Sequence, residues 1–424
     1  MTSNHGTPQP PTAIPDHASA VAVIGGGIAG LTLALALRRE GVECTVFERS
    51  PRPAEVGAGL QLAPNATRLL HRLGVAEALR AIAVLPRALR IRGWDDDRPL
   101  ATTALGAACL RGYNAPYYTV HRAQLHRVLR EALGAGPLRT GHRLTALTEN
   151  PDGVHLAFAS GARHRADVVI GADGVHSVVR ARLAGDAPVF SGSSVYRGLV
   201  PADRLPWAAG DPEIRVWPGP GRHLVCYPVS AGREVSFTAT VPAGAAGEES
   251  WTAEGDPAEL TAAYRGWNPT VTRLIAAADT VRRWPLHDRE SLPGWVTPRV
   301  ALLGDAAHPM LPFLAQGANQ AIEDAVTLAV CLGRTAEADA PTALRRYQEL
   351  RLPRTRLIQR GAREATRFLH HRGSPGPGRL HRTGAAADPH GLAGLRAMGW
   401  LYGHDAEAVA AGAIGEPSTA QAAS

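Results

Sequence analysis

Four stretches of this chain carry residues whose types and spacing could do chemistry. The first is Val21-Ala-Val-Ile-Gly-Gly-Gly-Ile-Ala-Gly30, which sets Gly25, Gly27 and Gly30 as G-x-G-x-x-G directly after an apolar run. In such a unit the first glycine permits a tight turn, the second lets a pyrophosphate reach the backbone, and the third lets helix and strand pack closely. The helix N-terminus then offers free N–H groups and a positive dipole end to an anion. Eighteen residues past Gly30, Thr45-Val-Phe-Glu48 reads as a second strand ending in an acid. Glu48 can accept hydrogen bonds from a ribose diol, and an acid here disfavours a 2′-phosphate. The second and third stretches end apolar runs in Asp173-Gly174 and Gly304-Asp305. The fourth is Trp217–Val229, where period two puts His223, Val225 and Tyr227 on one face of a strand and Leu224 and Cys226 on the other. A histidine there can serve as an acid or base, or as a hydrogen-bonded core residue. The glycine motif alone does not separate FAD from NAD.

These residues need particular elements to hold them. Val21–Ile24, Val168–Ile170 and Val300–Leu303 read as buried strands, each followed by a glycine turn and helix-compatible sequence. That is the phosphate-binding unit of a Rossmann-like α/β domain. Between Val189 and Trp284 the pattern changes to short alternating runs: Ser194–Val200, Glu213–Trp217, His223–Val229 and Val235–Val241. They predict a second, antiparallel β-sheet, interrupted by a helical excursion over Asp256–Ala278. Gln320–Gly333 and Thr342–His370 predict a C-terminal helical region. Residues 1–19, Gly373–Pro389 and the last ten residues read as tails or loop.

Composition narrows the chemistry. All 45 basic residues are Arg, against 38 acids, for a net charge of +7. Without lysine there is no lysine Schiff base, no pyridoxal-phosphate enzyme and no Walker A lysine. The arginines are interleaved with acids, so a nucleic-acid footprint is not expected; the densest run, Arg351 to Arg382, reads as a solvated helix face or an interface. Cys44, Cys109, Cys226 and Cys331 form no C-x-x-C, which argues against a metal site and fits reduced thiols in a cytoplasmic protein. The uncharged stretch 21–37 contains four glycines and is too short to span a membrane comfortably.

The three strand-turn motifs in this order resemble those of the group A flavin monooxygenases, single-component aromatic hydroxylases of the p-hydroxybenzoate hydroxylase fold. The resemblance runs from about Val21 to Asp405. It implies a discontinuous FAD-binding domain over 20–75, 100–188 and 284–385, a substrate domain over 76–99 and 189–283, and a C-terminal segment over 386–424. It implies that Gly25, Gly27, Gly30 and Glu48 hold the ADP part of FAD, that Asp173 and Gly174 lie near the pyrophosphate, and that Gly304 and Asp305 meet the ribityl–pyrophosphate region. Tyr118-Thr-Val-His-Arg122 resembles a family stretch whose Arg contacts FAD. A helix beginning near Gly317-Ala318-Asn319 would aim its amides at developing negative charge, and the resemblance implies that this stretch lies beside the isoalloxazine ring. His308, in the preceding loop, could be an acid or base, but reads better as a residue that holds the loop by hydrogen bonding.

On the substrate side, the Trp217–Val229 stretch is similar to the corresponding strand of salicylate hydroxylase, 3-hydroxybenzoate 6-hydroxylase and 6-hydroxynicotinate 3-monooxygenase. That similarity makes His223 and Tyr227 the catalytic candidates and Gln61, Pro312 and Phe313 the pocket candidates. Gln61 and Phe313 stand where the 6-hydroxynicotinate enzymes have histidines, and Pro312 where the 3-hydroxybenzoate 6-hydroxylases have a glutamine. The resemblance implies an NADH- or NADPH-consuming monooxygenase that uses O2 and a flavin C4a-hydroperoxide to hydroxylate a small electron-rich aromatic, with or without decarboxylation. The chain would act as a monomer or homodimer, with His223 a base of near-neutral pKa. The alternatives are a flavin epoxidase or other tailoring oxygenase of a larger substrate, and a flavin-binding regulatory protein without turnover.

Overall fold

A computed structural model describes residues 19–52, 58–210, 212–243, 254–335, 339–370 and 392–415. Of the expected tail 1–19, residues 1–18 lie outside the described residues and Ser19 begins the first strand; the Gly373–Pro389 loop and residues 416–424 also lie outside them. Three buried apolar strands meet in one sheet, as their composition requires when both faces are covered. β1 (Ser19–Ile24) pairs in parallel with β2 (Cys44–Phe47) and with β10 (Arg163–Gly171), and β10 pairs in parallel with β16 (Val300–Leu302). Strands β7 (Leu138–Arg139), β8 (Leu144–Asn150) and β9 (Gly153–Phe158) complete the seven-stranded sheet. The helices Ile28–Arg39 and Gly317–Arg334 pack on one another against it, and their Leu, Ala and Val side chains are buried. The carboxyl ends of β1, β10 and β16 therefore deliver Gly27, Gly174 and Gly304-Asp305 to one edge, where open α/β sheets bind ligands.

The second sheet also has seven strands. In order they are β15 (Val281–Asp288), β11 (Val189–Pro201), β14 (Glu234–Pro242), β13 (Arg222–Val229), β12 (Glu213–Gly219), β4 (Ala88–Arg92) and β5 (Pro99–Ala104). All neighbours are antiparallel except β12 and β4. The helical excursion is two helices, Pro257–Ala263 and Pro269–Ala276, the second capped by the Asn268 side chain on the Thr270 and Val271 amides. The sheet takes in residues up to Ala104 at its β5 edge and up to Asp288 at its β15 edge. A two-stranded ribbon, β3 (Gly59–Leu62) with β6 (Tyr118–His121), lies between the two sheets.

The Ala340–Leu369 helix crosses behind the Gly317–Arg334 helix. Its Arg351 is not solvated: it is buried, with Nε 2.6 Å from Asp324 Oδ1 and Nη1 2.6 Å from Glu323 Oε2. The solvated-face reading fails there because i, i+3 spacing brings Arg351 and Arg354 onto acids of the neighbouring helix. Among the described residues, no helix is long and apolar enough to cross a membrane.

Candidate active site

A cleft of about 340 Å³ separates the two sheets. At one end it is lined by Gly27, Ile28, Ala29, Gly174, Arg122 and Asp305, and at the other by His223, Val225, Tyr227, Arg197, Pro312 and Phe313.

The glycines act as their spacing predicts. Gly25 has φ +113°, and a Cβ there would lie 2.3 Å from the Ala172 carbonyl oxygen. A Cβ on Gly30 would lie 1.9 Å from the Gly25 carbonyl oxygen, so the strand-to-helix turn closes only without it. Gly27 is different: a Cβ there meets nothing within 4 Å and would project into open space at the cleft wall. Gly27 is the helix N-cap with no capping side chain, and the first turn contains no acid, so its amides face the cleft bare. Glu48 accepts from the Gly26 and Ser50 amides at 2.8 Å each, which fixes the carboxylate beside the glycine turn.

Asp305 is open to the cleft yet surrounded by protein, and burial raises its pKa, with His308 and Arg122 opposing. Arg122 follows β6, its amide held by the Ala58 carbonyl at 2.8 Å; burial lowers its pKa and Asp305 raises it. Gly317 stands against Asp305, a Cβ there being 3.8 Å from Oδ1, and Gly317 and Ala318 line the cleft.

Two cofactor candidates have side chains engaged elsewhere. The Asp173 carboxylate accepts from the Ser177 hydroxyl and from the Val178 and Val179 amides, so it fixes the start of the Val178–Leu183 helix while its neighbour Gly174 lines the cleft. Asn319 is fully buried: Oδ1 accepts from the Ala63 amide at 2.8 Å, and Nδ2 donates to the Gln61 and Ala315 carbonyls. It ties β3 to the helix, and only its main chain is left to meet a cofactor. His308 is held by Asp324, Nε2 to Oδ2 2.5 Å, in the buried cluster with Arg351; this agrees with its reading as a loop anchor.

On the substrate side the period-two face is as expected. His223, Val225 and Tyr227 line the cleft, while Leu224 and Cys226 join the core behind the sheet. Burial pushes the Tyr227 phenol up to about 12, with Arg197 opposing. Gln61 accepts from the Tyr117 hydroxyl at 2.7 Å, and Phe313 meets His223 edge-on with centroids 5.1 Å apart. One expectation is corrected. His223 is not a near-neutral base in the free cleft, because burial, aided by His370, pushes its pKa down to about 3.

Two neighbours were not anticipated. Arg197 projects from β11 into the cleft with its guanidinium carbon 4.4 Å from the Trp284 ring centroid. Its Nε is buried without a hydrogen-bond partner, no carboxylate pairs with it among the described residues, and burial lowers its pKa to about 10. An Arg in the inward register of an apolar strand was the available signal. His370, at the end of the Ala340–Leu369 helix, has Nε2 3.0 Å from His223 Nδ1. It is 147 residues from His223, and no local pattern announced that contact.

The arrangement fits FAD on its own terms, with a cradle that a Cβ at Gly27 would fill, bare helix amides and a cleft-facing carboxylate. Comparison with known proteins agrees. The family model described as an FAD binding domain matches residues 18–362. A 3-amino-4-hydroxybenzoate 2-monooxygenase of Streptomyces platensis is 48% identical over 94% of this chain and 99% of its own. A 3-hydroxybenzoate 6-hydroxylase of Aquipseudomonas alcaligenes is 36% identical over 91% and 98%. The solved salicylate hydroxylase substrate complex superposes with a TM-score of 0.77 at 30% identity, covering 95% of this chain and 99% of that one.

Proposed function

We propose, from the premise that this chain belongs to the FAD binding domain family and is an FAD-dependent aromatic monooxygenase, that its substrate is a small phenolic carboxylate of the hydroxybenzoate class. 3-Amino-4-hydroxybenzoate is the first compound to try, with NADH or NADPH as reductant and O2 as co-substrate. The observation that carries the reading is the juxtaposition of Arg197, His223 and Tyr227 in one cleft with the FAD cradle. A half-buried guanidinium on the cleft wall with no protein carboxylate among the described residues is matched by an anion, and a ring carboxylate supplies one with paired oxygens.

FAD supplies hydride acceptance and oxygen activation; the protein binds, orients and dries. With FAD bound, the amides at Gly27–Ala29 would hold the pyrophosphate, Glu48 the ribose, Asp305 and Arg122 the ribityl chain, and the Gly317–Ala318 amides would favour negative charge on the flavin. Arg197 fixes the carboxylate end of the substrate, which aims the ring hydroxyl at His223. Removing the hydroxyl proton raises electron density on the ring carbons ortho and para to it. Phe313, Pro312, Met310 and Val225 wall the cleft with apolar surface and keep water from the reacting centre.

The test is a panel of aminohydroxybenzoates, hydroxybenzoates and hydroxynicotinates with their neutral amides, scored for NAD(P)H oxidation coupled to hydroxylated product. Coupled turnover of the acids and not the amides supports the reading. Coupling only with neutral or much larger substrates refutes it.

A further inference from the structure

The cleft ends in two imidazoles. His223 Nδ1 and His370 Nε2 are 3.0 Å apart, and the Thr240 hydroxyl lies 3.1 Å from the first and 3.4 Å from the second. The pair is held from several sides. The Gly221 amide donates to the His370 carbonyl at 3.1 Å, which locks the helix end to the turn before β13. Thr240 Oγ1 accepts from the His223 amide at 2.7 Å, and the Tyr264 hydroxyl donates to the His223 carbonyl at 2.7 Å. Phe313 meets both rings edge-on, with centroids 5.1 Å and 5.5 Å away.

Two imidazoles at this distance share one hydrogen, one ring donating and the other accepting. His223 lines the cleft and is buried, and its Nε2 has no hydrogen-bond partner among the described residues. His370 is half-buried, so the pair runs from the cleft toward solvent.

His223 alone is poorly suited to keep a proton. Burial depresses its basicity to about 3 and that of His370 to about 4, while a phenol titrates at about 10. The charged group acting on the pair is Arg222, which further disfavours a proton on His370; no carboxylate among the described residues stabilises either imidazolium. A stored imidazolium is therefore costly at this site. A proton that passes through is not.

We propose that His223 and His370 form a two-ring relay that carries the ring-hydroxyl proton of a bound phenol out of the cleft. The substrate O–H bond breaks as its proton goes to His223 Nε2. The Nδ1 hydrogen of His223 passes to His370 Nε2, and His370 gives its Nδ1 hydrogen to water or buffer. Each ring accepts one proton and yields one, so both end neutral in the opposite tautomer; the phenolate keeps the electron pair. His370 and Thr240 act through His223 and are positioning residues. The relay rests on the phenolic substrate read above.

The test uses the oxidised FAD holoenzyme without NAD(P)H, so that no turnover intervenes. It is mixed rapidly with 4-hydroxy-3-nitrobenzoate, a phenol whose phenolate absorbs in the visible, at a pH where the free probe is protonated. The rate of appearance of the phenolate band is read in H2O and D2O, with and without added imidazole. Wild type should ionise the probe quickly with a solvent isotope effect. His370→Phe keeps the ring packing, and should slow ionisation by about tenfold to a hundredfold with unchanged FAD content and probe affinity, and imidazole should restore part of the rate. This lies below the 10²–10⁴-fold effect of a positioned acid or base, since His223 remains. If His370→Phe loses FAD, His370→Gln is read instead: its amide hydrogen-bonds His223 but has no second ring nitrogen to pass the proton on. A His370 variant that retains FAD and ionises the probe at the wild-type rate overturns the relay and leaves the phenolic reading intact. A wild-type enzyme that leaves the probe unbound or protonated overturns the hydroxybenzoate reading, and the relay with it.

Discussion

Replacing Arg197 by Met separates the substrate reading from a purely structural one. Methionine keeps much of the length and apolar contact with Trp284 but removes the charge. A charge-assisted hydrogen bond contributes about 1.5–3 kcal/mol net. At about 1.4 kcal/mol per decade, losing the contact to a ring carboxylate weakens binding about 10- to 150-fold. The same substitution has two opposed effects in the free protein. There Arg197 is a cation with a buried, unpartnered Nε and a pKa lowered by burial to about 10. Removing an unsatisfied buried donor gains about 1–3 kcal/mol, against about 2 kcal/mol lost with the Trp284 stacking at a desolvated site. The two nearly cancel, so the melting temperature without substrate should change little. The assay is titration of the flavin absorbance with each hydroxybenzoate and its amide, alongside thermal unfolding. Wild type should prefer the acid and the variant should treat both alike. A variant that still selects the carboxylate, or that melts lower with no change in selectivity, refutes the clamp and makes Arg197 a packing residue.

Gly27→Val should fold and elute without flavin, because its side chain enters open space in the cradle, whereas Gly30→Ala should lose soluble protein, because its Cβ collides with the Gly25 carbonyl; flavin spectra and soluble yield distinguish the two. Asp305→Ala should weaken FAD retention at every pH, measured by equilibrium dialysis; normal affinity with only a displaced pH profile would contradict its cofactor role. His223→Ala should slow hydroxylation about 10²–10⁴-fold with normal flavin content, partly restored at high pH as solvent supplies the phenolate; equal oxygen-transfer rates in rapid mixing would make His223 a packing residue. The two imidazoles also make the fold acid-labile: their pKa values fall from 6.5 to about 3 and about 4, so the unfolded chain binds more protons as pH drops below 6.5. Stability is then fully present above 6.5 and is lost as pH falls toward 3; His223→Gln should flatten the melting-temperature profile there, and an unchanged slope would contradict the burial argument.

What the amino-acid sequence determined by itself was local and periodic. Apolar runs ending in glycine specified β1, β10 and β16, because a strand buried on both faces has few other compositions and a turn at positive φ or close approach needs glycine. Alternation put His223, Val225 and Tyr227 on one face, because the pleat has period two. The tertiary structure decided what no period encodes. Arg197 and His370 join His223 from β11 and the far end of the Ala340–Leu369 helix. Whether Arg351 meets water or two buried acids depends on a neighbouring helix. The basicity of His223 depends on how completely the second sheet, Phe313 and His370 enclose it. Burial and desolvation are properties of the assembled walls, so they become readable only once distant segments have closed around the cleft.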